Sequence, residues 1–350
     1  MTLFEQGPPT ALSPSREIAF DATIAGARFL SDDLLALGLG DGSVRLVPPD
    51  PACSTVSVQA HEAGGAVLSL AADIDANAVL TGGDDGQLVR TGRDGSSRVL
   101  TAFPGRQIDA LAVSAAGSLR AVAAGRVLRL IDRADRIIGT SDDHPSTITG
   151  LAFNPKGKRI ASSHYGGVTL RWIGKLDQGA TRLDWHGSHI GVTWSPDGSA
   201  VLSSMQDSEL HGWRLADRSD MRMSGYISKV RSMGWLPRPM TLVTAGADCA
   251  IGWVFAGSGP QGKPPIEIGV GIGRLTTAVA VHPLHPIVAV GFEDGRAVLC
   301  ELAGERYARL RPADDKRIEE LAWSKDGKHL AAATEDGRLA LFRMPFDARL

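Results

Sequence analysis

Residues 185–215 read WHGSHIGVTWSPDGSAVLSSMQDSELHGWRL. Two apolar runs, HIGVTW and AVLSSM, flank the turn SPDG, and a third run follows the Asp-containing hairpin QDS. Short alternating runs bounded by Ser, Pro, Asp and Gly read as β-strands joined by tight turns. The phrase is not isolated. The residue after the hairpin Asp, used as a ruler, falls at Gly42, Gly86, Gly125, Gly167, Ser208, Cys249, Gly295 and Gly337, so the gaps are 44, 39, 42, 41, 41, 46 and 42 residues. Chance turns would not keep that beat, which marks an array of eight repeats. The Asp itself stands at Asp41, Asp85, Asp207, Asp248, Asp294 and Asp336, with Ala124 and Gly166 in its place in the third and fourth repeats.

Each repeat opens on a run that can be stacked on the others: IAGARF (24–29), VLSLAA (67–72), IDALAV (108–113), ITGLAF (148–153), HIGVTW (189–194), VRSMGW (230–235), TTAVAV (276–281) and IEELAW (318–323). The third and fifth columns are small except for Glu320 and Arg28. Successive strand side chains point to opposite faces, so each opening strand has one thin face and one thick one. Strands that converge on an axis need such thin faces. Periods of roughly 40–45 residues with four strands each indicate blades of a β-propeller, an all-β fold. Eight four-stranded blades are therefore expected, or seven if the weak third repeat is not a blade of its own. The whole chain, 1–350, reads as one domain. REIAFD (16–21) is expected to pair beside 338–344 and close the ring, because an open ring leaves unpaired strand edges. Arg28 and Glu320, the two bulky exceptions, are then expected to meet.

Composition excludes several classes. The net charge is -2, no Lys/Arg run appears, and no nucleic-acid partner is indicated. No window reaches the ~20 apolar residues of a membrane span, and the start shows no signal peptide. Three scattered cysteines, Cys53, Cys249 and Cys300, suit reduced thiols in a cytoplasmic protein.

These features resemble the WD-repeat β-propeller family over about residues 18–344. Its repeat runs from a lead-in His through an SPDG-like turn to an Asp hairpin and a strand ending in Trp-Asp. The fifth repeat matches best, with His186 in the His slot, Asp207 in the hairpin and Trp213 in the Trp slot. His144 with Trp172, and His61 with Asp85, match partly. The Trp slot otherwise holds Val47, Thr91, Leu130, Val254, Cys300 and Phe342, and no repeat keeps the following Asp. The family's buried His–Ser/Thr–Asp–Trp network is thus expected in the fifth repeat at most.

No GxSxG, HExxH or Walker loop is present, so no catalytic residue, metal ligand or cofactor is assigned. The pairs His186/His189 and His282/His285 lack the further ligands zinc requires. What remains is a loop-rich face carrying Arg106, His164, Tyr165, Trp185, His186, Lys229, Arg274, Lys316 and Arg317. Arginine and exposed aromatic side chains dominate protein-binding hot spots. The resemblance implies a non-enzymatic scaffold or adaptor binding a protein or peptide there; an acidic or phosphorylated peptide is one subtype. The alternative is a hydrolase or lyase with a metal at the channel mouth. The longest loops, 48–50 and 257–265, lie at the other rim and read as solvated.

Overall fold

The computed structural model describes residues 11–345, apart from 177, 258, 303, 305 and 306. After β1 (Arg16–Ala19), the first repeat forms the sheet β2 (Ile24–Ser31), β3 (Leu34–Leu39), β4 (Ser43–Val47) and β5 (Val56–Gln59). The second gives β6 (Val67–Ala72), β7 (Ala78–Gly83), β8 (Gln87–Gly92) and β9 (Ser97–Ala102). The third gives β10 (Ala110–Ser114), β11 (Leu119–Ala124), β12 (Val127–Asp132) and β13 (Ile137–Ser141). One six-stranded sheet holds the fourth and fifth repeats: β14 (Gly150–Phe153), β15 (Arg159–Trp172), β16 (Thr181–Trp194), β17 (Ala200–Met205), β18 (Leu210–Arg214) and β19 (Asp220–Met223). The sixth supplies β20 (Met233–Pro237), β21 (Met240–Thr244), β22 (Ala250–Val254) and β23 (Ile266–Ile268). The seventh supplies β24 (Thr276–Val281), β25 (Ile287–Phe292), β26 (Ala297–Glu301) and β27 (Tyr307–Arg311). The eighth gives β28 (Ile318–Trp323), β29 (His329–Thr334) and β30 (Arg338–Arg343), with β1 added outside β30.

The strand patterns explain the layering. Runs such as LRAVAA in β11 and IVAVGF in β25 are buried at every position, because both faces of a second strand are covered. Outer strands such as β19 alternate exposed and buried residues. The described residues thus form seven sheets, not the eight separate blades expected. The physical reason lies in β15 and β16, each 14 residues long, which pair across the fourth and fifth repeats with a shift of register between Tyr165 and Gly167. Gly166 and Gly167 take φ of 90° and 139°, and the Ile173 N–H donates to Lys158 O at 3.0 Å. Accordingly β15 turns back on itself at Tyr165–Gly167. The third repeat, the one in doubt, forms a complete four-stranded sheet.

The chain packs as two compact bodies, residues 1–37, 46–56 and 226–350 in one, and 38–45 and 57–225 in the other. In the first, β1 pairs antiparallel with β30 in the register Arg16↔Leu341 to Ala19↔Arg338, which is the pairing read from REIAFD. Its core joins Ala289 and Leu299 to Ile318, Leu330 and Phe342. Gly291 is required there, since a Cβ would lie 2.5 Å from Ile318 Cγ2. Arg28 Nη1 meets Glu320 Oε2 at 3.2 Å, so the two exceptions in the small columns do pair. Burial pushes the Glu320 pKa up, and Arg28 works against that shift.

In the second body, a Cβ on Gly150 would stand 3.1 Å from Gly191 Cα, so the thin faces of two opening strands touch as their columns require. A buried ion network ties the second repeat to the third. Asp73 accepts from Arg120 Nε (2.5 Å) and Nη2 (2.8 Å) and from Arg90 Nε (2.6 Å). Arg120 Nη1 in turn donates to Asp135 Oδ1 (2.7 Å) and Asp132 O (2.8 Å).

Candidate functional site

The hairpin that reverses β15 carries the most exposed aromatic residue among those singled out. Tyr165 is 67% exposed, its N–H donates to Ser146 Oγ at 2.9 Å, and it pairs with Ser188 of β16. A side chain held on so short a hairpin is preorganised, and its ring loses little freedom on binding. His186 is exposed on the neighbouring strand. Arg106 is exposed too, with Nη1 resting 3.4 Å from Ala124 O.

Two of the expected contact residues are placed differently. His164 is only 3% exposed, with Nδ1 bonded to Tyr165 O (2.8 Å) and Nε2 to Thr169 Oγ1 (2.8 Å). The reversal folds its ring inward, so it braces the hairpin and cannot touch a partner. Burial also lowers its pKa. Trp185 is half-buried and stacks on His211, with centroids 3.8 Å apart and planes 16° apart. It packs under its own loop, and its buried Nε1 has no hydrogen-bond partner.

His211 is fully buried and its pKa falls to about 4, chiefly through desolvation, with Asp220 Oδ2 3.4 Å away pulling the other way. The His slot of this repeat belongs to His189 and not His186. His189 Nδ1 meets Ser203 Oγ at 2.6 Å, and its ring lies 5.9 Å from that of Trp213.

In the other body, Arg274, Lys316 and Arg317 are exposed and Lys229 is half-buried. Acidic neighbours hold the arginines: Arg274 lies 3.7 Å from Asp294, and Arg317 contacts Glu319 and, at 3.8 Å, Glu335. The structure therefore brings Tyr165 and His186 together, and separately clusters Arg274, Lys316 and Arg317 among carboxylates.

Polar networks brace further loops, among them that of His61 and Asp85, which the sequence places together. His61 joins Thr81 Oγ1 (2.9 Å) to Asp85 (3.0 Å), and His144 meets Ser162 Oγ (2.9 Å). In the sixth repeat Trp253 Nε1 donates to Tyr226 Oη (2.7 Å), which bonds Thr244 Oγ1 (2.7 Å). A tyrosine replaces the histidine there, and the tryptophan sits one residue before the slot assigned to Val254. The signal was the Trp in AIGWV.

His282 is buried and spends Nε2 on Gly327 O (3.2 Å). Among the described residues no group of three or more His, Cys, Asp or Glu side chains is placed to share a metal ion. No helix of the described chain is long and apolar enough to cross a membrane.

The family model for the anaphase-promoting complex subunit 4 WD40 domain matches residues 281–345, and that for the WD domain, G-beta repeat matches residues 136–170. THO complex subunit 3 of Arabidopsis thaliana is 21% identical over 201 residues, 55% of this chain and 60% of that protein. A Drosophila melanogaster protein LST8 homolog is 33% identical over 67 residues, 19% of this chain and 21% of its own length. The chain thus spans less than two thirds of either relative. The crystal structure of the C-terminal WD40 domain of Sif2 superposes with a TM-score of 0.78 at 16% identity, covering 97% of this chain and 100% of that one. At that identity the likeness speaks for the fold alone, a single all-β propeller.

Proposed function

We infer that this chain, which belongs to the WD-repeat β-propellers, is a non-enzymatic interaction platform that binds a protein or peptide segment. The observation that carries the reading is Tyr165, two-thirds exposed on a hairpin fixed by Ser146 and Ser188, with His186 beside it. A rigid support with an exposed aromatic suits capture by contact rather than chemistry. The names of the matched proteins, a THO complex subunit and an anaphase-promoting complex subunit, are those of assembly components, and they favour protein partners for this chain too.

On this reading the working surface is the end bearing Tyr165, Arg106 and His186, with Trp185 supporting it from beneath. Arg274, Lys316, Arg317 and Lys229 offer a second, charge-balanced contact region. The reversal of β15 at Tyr165–Gly167 supports treating the six-stranded sheet as two adjoining blades, one per repeat, and β1 as the strand that closes the ring. Cytoplasmic residence completes the proposal.

The test is site-specific photo-crosslinking in living cells, with the crosslinker at Tyr165 or at Lys263 of the 257–265 loop. A discrete protein adduct is expected at position 165 and none at 263. Tyr165→Ala should weaken capture of that protein by about 2 kcal/mol, the hot-spot scale, without changing the melt. Adducts at 263 alone would show that the working surface is not the one bearing Tyr165. A stoichiometric metal in the purified protein would favour the hydrolase or lyase reading.

A further inference from the structure

The opposite end of the fourth repeat carries an unclaimed feature. There the turn 154–158 meets the 3₁₀ turn Ile173–Lys175, joined by the bond from Ile173 N–H to Lys158 O. Lys156, Lys158 and Lys175 are exposed on these turns, and Trp172 between them is 51% exposed. Arg159 lies half-buried beneath, its Cζ 5.0 Å from the Trp172 ring centre and 5.7 Å from that of Trp194. Trp194 is buried and gives its Nε1–H to Ala152 O at 3.1 Å. The guanidinium is thus slotted between a structural indole and an exposed one.

Its charge is left open. Arg159 Nε is buried with no hydrogen-bond partner, and among the described residues no carboxylate lies within ion-pair distance of Arg159, Lys156, Lys158 or Lys175. Arg171 in the same repeat shows the contrast, since Asp143 neutralises it at 2.6 Å. Cation–π contact offsets part of the desolvation of Arg159, yet a half-buried guanidinium whose Nε is desolvated and unpaired gains from an incoming carboxylate. Three lysines add attraction at longer range, and Trp172 offers apolar area to a neighbouring side chain.

We propose that Lys156, Lys158, Arg159, Trp172 and Lys175 form a docking site for a short acidic segment of a partner protein, distinct from the Tyr165 surface. Its extent favours a peptide over a nucleic acid. A phosphate backbone is gripped along a basic stripe, and this patch ends at the next turn. That turn, Ser195–Ser199, adjoins it, since a Cβ on Gly198 would lie 3.6 Å from Pro155 Cδ, and it presents Asp197. Asp217 follows at the same end, where Leu215 N–H bonds Ser199 O. Two carboxylates fence the site against an extended polyanion.

The test uses the full chain, a fluorescein-labelled hexaglutamate peptide and a labelled 20-nucleotide single-stranded DNA, by anisotropy at low salt. Hexaglutamate should bind saturably and more tightly than the DNA, and shift the tryptophan emission of the protein. The double variant Lys156→Ser/Lys158→Ser, on exposed positions, should weaken it about tenfold or more while melting as the parent does. Trp172→Ala should both weaken binding and abolish the emission shift, and Tyr165→Ala should change neither. Unsaturable binding, an unaffected lysine variant, or DNA binding tighter than the peptide would each overturn the proposal.

Discussion

Asp73 should be the residue whose loss costs the fold most among the charged side chains of the second body. Its carboxylate is buried and is the shared acceptor of Arg120 and Arg90. Asp73→Ala leaves the Arg120 guanidinium, 3% exposed, without its two-bond partner. Breaking one side of a buried pair costs about 3–5 kcal/mol, because the remaining charge is desolvated and unpaired. Arg120 keeps Asp135 and the Asp132 carbonyl, and Arg90 can turn toward water, so about 3 kcal/mol is the value expected here. With a urea m-value near 3 kcal/mol/M, the unfolding midpoint should fall by about 1 M.

The control is Arg133→Ala, which removes an exposed pair with Asp75 at 3.8 Å. Such pairs contribute about 0–1 kcal/mol, so its midpoint should barely move. A third variant, Asp73→Leu combined with Arg120→Met, removes both charges and should recover most of the loss. Acid supplies an independent check. Burial opposes ionisation of Asp73, but the bonds from Arg120 and Arg90 outweigh it and hold the pKa below its ordinary 3.8. The unfolded chain therefore binds this proton first as pH drops. The stabilisation is complete above 3.8 and is lost as pH falls through the lower folded value, where parent and Asp73→Ala should converge. If Asp73→Ala unfolds like Arg133→Ala at neutral pH, the network carries no stability and the reasoning fails.

Three further outcomes are expected. Deleting residues 1–21 removes β1 and strips β30 of its outer partner, so the melting temperature should drop sharply in a scanning-fluorimetry comparison. Tyr226→Phe takes the acceptor from Trp253 Nε1 and the partner from Thr244, and should cost about 1–3 kcal/mol in urea unfolding. His144, His211 and His282 are buried, and desolvation lowers each pKa from 6.5 to about 4. For a depressed base the unfolded chain gains the proton first, so stability is full above pH 6.5 and erodes down to about pH 4. An equilibrium unfolding series flat across that window would show that these rings are not held neutral.

The repeat, the strand order and the Arg28–Glu320 pair were legible because each follows from a fixed period. Side chains alternate every second residue, so a column of small residues at 26, 69, 110 and 150 reports directly which faces approach. Glu320, which breaks that column, and Arg28, which breaks the other small one, had to meet or remain unpaired. Features that depend on where a chain reverses were not legible. The hairpin at Gly166 and Gly167 falls inside β15, where the pairing with β16 shifts register, and it turns His164 inward and Tyr165 outward, although both precede the same turn. Nothing in HYGG distinguishes the two directions.

The His slot failed for a related reason. His186 and His189 both lie in β16, three residues apart, and the spacing does not reveal that it is the His189 ring that reaches Ser203. The Asp73 network has no local pattern at all, since Arg120 lies 47 residues away and Arg90 17. Arg159 shows the same limit from the functional side. In NPKGKR it reads as one more solvated cation, and only packing against Trp172 and Trp194 singles it out. Spacing fixes which strands are neighbours. Whether a charge between them is satisfied depends on contacts that spacing does not encode, and so the structural network at Asp73 and the open guanidinium at Arg159 look alike in sequence. They part only when their partners are counted: three arginine nitrogens close on Asp73, while no carboxylate among the described residues closes on Arg159.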